Sequence, residues 1–195
     1  ATSHAVIESD PTLDDDLAEW HDPRSRLPKL TLLGPVGLRT KSRRPPPSRS
    51  RPHLIEILAY IALHPEGVVS RELSTVFGRS VSRLRTDVGT IRNWLGTNPR
   101  TGRPHLPAGD ASKIYRETKA AGYQVEDVLV DVDLFNRLRA RGQARGAAGI
   151  DDLIEALRLV IGQPFSELRE KGWSWLYDGD PLHVIAASAI ADTAH

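Results

Sequence analysis

The apolar residues of segment 80–95 recur at helical spacing and predict an amphipathic helix. At 100° per residue, one narrow arc collects Val81, Leu84, Val88, Ile91 and Leu95. The opposite face carries Ser82, Thr86, Gly89 and Asn93, with Arg83 and Thr90 on one flank and Arg85 and Arg92 on the other. Ser80 stands at the N-cap position and Gly96 just beyond the end. One side of this helix requires a core, and the other offers cations and short polar groups to a negatively charged partner.

Two further helical patterns precede this segment. The first has an apolar face of Leu54, Ile55, Leu58, Ile61 and Ala62, and the turn at 65–67 ends it. Ser70 is expected to cap the second, whose core face is Leu73, Val76 and Phe77. Gly78 closes that helix, and Arg79 leads into the third. Three helices with this short joint fit the helix-turn-helix plan, in which the last helix enters the major groove of DNA.

Short strand patterns flank the three helices. Residues 29–39 alternate around the turn Gly34-Pro35 and predict an antiparallel strand pair. Behind the helices, residues 105–107, 113–117 and 123–126 read as strands, with a turn at 118–122. The last two would form a basic-tipped hairpin, the wing of a winged helix, carrying Lys113, Arg116 and Lys119. The loop at 97–103 adds Arg100 and Arg103.

The last third of the chain has a purely helical pattern. Helices are predicted over 131–141, with Asp131 as the cap, over 150–161 and over 181–194. The residues expected to face inward are Leu134, Phe135, Leu138, Leu153, Ile154, Leu157 and Val160. Phe165, Trp173 and Trp175 are interpreted as packing residues rather than a ligand site. Helices of this length stacked side by side resemble repeat-type arrays.

Two segments lack such periodicity. Residues 1–26 are acidic and are expected to form a disordered tail or linker, so that ordered structure begins at Leu27. Residues 39–51 hold six basic side chains around three consecutive prolines. This second segment is expected to be an extended loop, either a simple linker or an arm that reaches phosphates.

Charge is distributed unevenly, although the net charge of the 195 residues is only +1. Residues 39–103 contain thirteen Lys/Arg against four Asp/Glu, whereas both flanking parts are acidic. This distribution is typical of a nucleic-acid-binding module set among other parts. The chain starts without Met and its last helical pattern breaks off without a stop signal, so we expect a fragment of a longer protein.

Candidate catalytic chemistry is sparse. The absence of cysteine excludes disulfides, thiol nucleophiles and cysteine-bound zinc. The seven histidines show no metal-ligand spacing on one helix face, and the Gly34–Gly37 segment lacks the lysine and hydroxyl of a phosphate-binding loop. We therefore expect no enzyme activity, no catalytic residue, no metal and no cofactor. No apolar run is long enough to span a membrane, so no membrane contact is expected.

The order of strands, three helices and hairpin resembles the OmpR-type winged helix. Segment 88–96 is similar to the end of its recognition helix, and segments 122–135, 153–165 and 173–175 resemble the bacterial transcriptional activator domain of SARP-type regulators. The resemblance implies an α+β winged helix (three helices with flanking short antiparallel strands) over 27–128. An all-α tetratricopeptide-like domain would follow over 129–195, incomplete at its C-terminus.

The resemblance implies a cytoplasmic transcription regulator that binds double-stranded DNA. RNA polymerase or another protein is the expected partner of the helical domain, and homodimerisation is a further option. The expected DNA-contacting residues are Arg79, Ser82, Arg83, Arg85, Thr86, Gly89, Thr90, Arg92, Asn93, Arg100, Arg103, Lys113, Arg116 and Lys119. Two alternatives stay open: a protein-interaction scaffold that has lost DNA binding, and a small-molecule sensor in the helical half.

Overall fold

A computed structural model describes residues 10–41, 45–178 and 181–195. The helices within these ranges are α1 (Leu13–His21), α2 (Arg51–Ala62), α3 (Ser70–Phe77), α4 (Val81–Leu95), α5 (Lys113–Thr118), α6 (Asp131–Arg145), α7 (Ile150–Arg158), α8 (Trp175–Asp178) and α9 (Leu182–Ala194). The strands are β1 (Lys29–Thr31), β2 (Gly37–Arg39), β3 (Val68–Val69), β4 (Gly122–Tyr123) and β5 (Leu129–Val130). Short 3-10 turns at Ser48–Ser50 and Gly146–Gly149 lead into α2 and α7.

The two small sheets link distant parts of the chain. The predicted pair at 29–39 is confirmed, because β1 and β2 are antiparallel with Leu30 opposite Leu38. Strand β5 then joins the other edge of β1 in parallel, giving the order β2-β1-β5. Strands β3 and β4 form a separate antiparallel pair with Val68 opposite Tyr123.

The three-helix arrangement is confirmed at the level of its elements. Helices α2, α3 and α4 share one apolar core that contains Ile57, Leu73 and Val88, each fully buried. Helix α3 ends at Gly78, whose φ of 56° lies in the left-handed region that suits glycine at a helix end. Ser70 is the first residue of α3 rather than its cap, and its hydroxyl donates to the Ala121 carbonyl at 2.9 Å.

A second apolar core joins both ends of the chain. It combines α1 and the paired strands β1 and β5 with α6, α7, α8 and α9. Its buried residues include Leu13, Leu30, Phe135, Ala156 and Trp173. The helical third is therefore packed around the N-terminal segment as well as around itself. The buried residues of the first core all lie before residue 128, whereas the second core draws on residues from both sides of that position.

The prediction of a disordered acidic tail is wrong for residues 13–21, and residues 1–9 lie outside the described part. Helix α1 buries Leu13 and Trp20, which lie on the same side as Leu17 at spacings of four and three residues. Its acidic side pairs with arginines far along the chain: Asp14 contacts Arg141 at 2.8 Å. Long-range neutralisation explains why a segment with a disorder-like composition folds.

The predicted strand at 113–117 is also wrong. Residues Lys113–Thr118 form helix α5, because the Ser112 hydroxyl accepts the backbone N–H of Tyr115 and caps the helix. Strand β4 therefore pairs with β3 between the helices of the first core and not with a hairpin partner. The predicted hairpin of residues 113–126 is not formed.

The three helices predicted in the last third of the chain are formed, but α7 buries a different face from the one predicted. Helices α6 and α7 are antiparallel neighbours, and Gly142 lies against the backbone of Gly149, where a Cβ would stand 2.9 Å from a carbonyl oxygen. Ile154, predicted to face inward, is 43% exposed, whereas Ala156 and Leu159 are buried. Helix α7 carries more apolar side chains than its neighbouring elements bury. The apolar pattern alone therefore assigned the wrong residues to its buried face. The packing role of Phe165, Trp173 and Trp175 is confirmed by contacts between their rings at 6.3 and 5.3 Å.

Candidate nucleic-acid interface

The outer face of α4 is exposed at both of its ends and half-buried between them. Ser82, Arg83, Arg85, Thr86 and Asn93 are exposed, whereas Gly89 and Thr90 are half-buried. The inner face is buried, since Leu84, Val88 and Ile91 are at most 1% exposed. The Ser80 hydroxyl accepts the Arg83 N–H at 3.3 Å and begins the helix. Within the part of the chain that the structure describes, Ser82, Arg83, Arg85, Thr86 and Asn93 of this face are not covered by other segments.

The side chains at the centre of this face are short and project little from the helix. The hydroxyls of Thr86 and Thr90 donate back to the carbonyls of Ser82 and Thr86 at 3.3 and 3.1 Å. A Cβ added at Gly89 would meet no described atom within 4 Å. The glycine is thus not required by internal packing, and the space above it is open to another molecule.

Asp87 is the unexpected feature of the helix. The residue is only 7% exposed, and its carboxylate lies 3.7 Å from Arg83, one turn earlier in the sequence. Arg79 approaches it at 3.6 Å and His53 of α2 at 3.3 Å. Burial lowers the pKa of His53, which outweighs the opposing effect of Asp87. One buried carboxylate therefore positions the side chains of Arg79 and Arg83 at the start of α4.

Two predicted contact residues have internal roles. Arg92 donates from Nε to the Leu106 carbonyl at 2.7 Å and from Nη2 to the Pro107 carbonyl at 3.0 Å. Arg100 pairs with Asp16 of α1 at 3.3 Å and with Asp127 at 3.1 Å. Their guanidinium groups hold the segments behind α4 in place, a role that the sequence did not predict, and their contact with DNA stays a prediction. Sequence spacing could not reveal acceptors supplied from so far along the chain.

The remaining predicted cations are exposed but do not sit on a hairpin. Arg103 pairs with Glu126 at 3.3 Å, and Lys113 lies 3.9 Å from Glu117. Arg116 and Lys119 are exposed on and just after α5, where Lys119 adopts a φ of 60°. Lys113, Arg116 and Lys119 thus lie on and just after a short helix instead of on a wing, and Arg103 lies in the loop after α4.

A buried histidine supports the segment behind α4. His105 is fully buried, and its Nδ1 lies 2.8 Å from the Glu126 carbonyl oxygen. Its backbone N–H donates to the Gly96 carbonyl just after α4. Burial lowers the pKa of His105, so the neutral imidazole is favoured.

Metal clusters and membrane-spanning helices are absent from the described residues. Residues 10–41, 45–178 and 181–195 contain no cluster of three or more His, Asp or Glu side chains suited to a metal ion. None of the helices described is long and apolar enough to cross a membrane. No protein-family model, curated protein or solved structure matches the chain.

Proposed function

We propose that this chain is part of a bacterial transcription regulator that binds double-stranded DNA through the outer face of α4. The exposure of that face carries the proposal, because its arginines and short polar side chains are what a major-groove helix presents. Arg83 and Arg85 suit phosphate oxygens or guanine edges, since a guanidinium donates in a fork to either. Ser82, Thr86 and Asn93 are the side chains nearest to the bases.

The arrangement of α2, α3 and α4 supports this assignment. Helix α4 follows α3 after three residues, Gly78, Arg79 and Ser80, and the inner faces of all three helices meet in one core. A rigid base of this kind allows one helix to be inserted in a groove without deforming. The three-helix part would belong to the winged-helix class, with α5 in place of the expected hairpin.

The helical third would be the protein-binding part of the regulator. Six large apolar side chains are exposed there, in α7 to α9 and the segment after α7: Ile150, Ile154, Ile161, Tyr177, Val184 and Ile185. Exposed apolar surface of this kind is typical of interaction sites. The same observation favours the second candidate function, a scaffold without DNA binding. In the regulator, the partner would be RNA polymerase or a second copy of the chain, and the protein would act in the cytoplasm.

Fluorescence anisotropy with a mixed-sequence duplex distinguishes the two functions. Arg85→Gln should weaken binding, since one phosphate contact is lost. The slope of the logarithm of the binding constant against the logarithm of salt concentration should become less steep by about one. Lys171→Gln removes the same charge from an exposed position in the helical third and serves as the matched control. Equal affinities of both variants and the parent chain would refute the role of α4, and no binding at low salt would favour the scaffold.

A further inference from the structure

A cleft lies beside the first sheet, away from the outer face of α4. It has a volume of about 450 Å³ and is formed by β1, β2, the start of α2 and the inner side of the end of α4. Its described lining contains four basic side chains, Lys29, Arg39, Lys41 and Arg51, and no carboxylate. The volume falls in the range of small-molecule sites, roughly 300–1,000 Å³.

These cations are not neutralised by ion pairs within the described residues. Lys29 is only 6% exposed, and its Nζ donates to the backbone carbonyls of Trp20 at 2.9 Å and Asp22 at 2.7 Å. Arg51 likewise donates from Nε to a backbone carbonyl, that of Pro46, at 2.9 Å. Backbone oxygens satisfy donors but do not cancel charge, so the site keeps a positive potential.

The same cations repel one another. Burial lowers the pKa of Lys29, and the nearby charge of Arg39 lowers it further. The charges of Asp22 and Glu19 oppose this shift, and Lys41 lowers the pKa by a smaller amount. Arg39 lies over the Trp20 ring, with its Cζ 5.6 Å from the centroid, which fixes the side chain at the cleft. A group of like charges held together by the fold is costly unless an anion joins it.

We infer that this cleft binds a small ligand bearing two or more phosphate groups. A single carboxylate would compensate only one of the four cations, whereas a diphosphate brings several negative charges and acceptor oxygens. The two guanidinium groups can each donate a pair of hydrogen bonds to a phosphate. Leu38 and Trp94 add an apolar wall that fits the non-phosphate part of a nucleotide-sized molecule. The inference does not depend on the proposed DNA binding.

Isothermal titration with inorganic pyrophosphate, and then with ATP, tests the inference. The parent chain should bind both at low ionic strength, and Arg39→Gln/Lys41→Gln should weaken binding at least about tenfold, since two charge-assisted contacts are removed. The double variant Arg158→Gln/Lys171→Gln removes the same charge from the helical third and should bind within about twofold of the parent, because neither side chain lines the cleft. Lys41→Gln alone, a change at one exposed side chain, should weaken binding by about threefold or more by the same reasoning.

Duplex DNA is the second source of the same phosphate chemistry, and a parallel titration distinguishes it. The cleft variants should bind a 20-bp duplex as the parent chain does, if the site serves a free ligand. Loss of DNA affinity in these variants without pyrophosphate binding in the parent would overturn the inference. Failure of the parent to bind pyrophosphate and ATP at millimolar concentration would overturn it too, as would an equal loss of affinity in the charge-matched control. Because the DNA-binding test changes Arg85, the two proposals can fail separately.

Discussion

Asp131 joins the helical third to the first sheet and makes the fold sensitive to pH in a definite direction. Its fully buried carboxylate accepts the backbone N–H groups of Leu32 at 2.8 Å, Leu33 at 2.9 Å and Val132 at 2.9 Å. Burial nevertheless raises the pKa of Asp131 from 3.8 to about 6, because loss of hydration outweighs these hydrogen bonds. At neutral pH the folded protein therefore holds a charge that would be better solvated in the unfolded chain.

The sign of the effect follows from proton uptake. Between pH 3.8 and about 6 the folded state keeps a proton on Asp131 that the unfolded chain has released. The contribution of Asp131 to stability is therefore greatest below pH 3.8 and is lost as the pH rises through 6. A shift of about two pKa units corresponds to about 3 kcal/mol in full, and to about 1.4 kcal/mol between pH 7.5 and pH 5.

Urea unfolding of the parent chain and Asp131→Asn, followed by tryptophan fluorescence, measures this contribution. Asparagine keeps one acceptor oxygen but cannot titrate. On going from pH 7.5 to pH 5, the parent should gain about 1.4 kcal/mol relative to the variant. His53 and His105 have lowered pKa values and act in the opposite direction, but they are common to both proteins and cancel in the difference. Asp110→Asn, at an exposed position, controls for the chemical change.

Two results would refute this reasoning. A constant difference between the parent and Asp131→Asn across the pH range would mean that the carboxylate does not titrate differently in the folded state. A relative loss of parent stability on acidification would mean that the hydrogen bonds from Leu32 and Leu33 outweigh burial.

Three further changes test other parts of the structure. Trp173→Ala should lower the free energy of unfolding by about 3–5 kcal/mol in urea unfolding, because the ring is fully buried. Gly78→Ala should destabilise by about 1 kcal/mol through its positive φ, whereas Gly89→Ala, in a helix interior with open space, should stabilise by a similar amount; equal signs in calorimetry would contradict this. Asp16→Asn removes the charge from both ion pairs that link α1 to Arg100 and Arg137, and should expose α1 to faster hydrogen exchange while α4 stays protected.

The first core was largely predictable from sequence, because local signals agree with one another there. The apolar spacing of α4, the Ser80 cap and the left-handed Gly78 all act within a few residues. The strand pair β1–β2 was predictable for the same reason, since one tight turn joins it. Strong periodicity with matching end signals leaves few alternative structures.

The errors arise where partners come from far along the chain. The acidic residues of α1 find their arginines in α6, more than 100 residues away, so their composition alone suggested disorder. Arg92 and Arg100 look like surface cations until the acceptors behind α4 are known. In α5, the strand propensity of Ile114 and Tyr115 predicted a strand. The segment is a helix because Ser112 caps its N-terminus. Tertiary contacts and one cap therefore account for the differences.

The central claim is that α4 presents a DNA-binding surface, and the most direct test is titration of the chain into a mixed-sequence duplex at two salt concentrations. The account predicts binding at 50 mM salt that weakens about 40-fold at 200 mM, the change expected for three phosphate contacts. Absence of binding at 50 mM salt, or an affinity that does not change with salt, would contradict it.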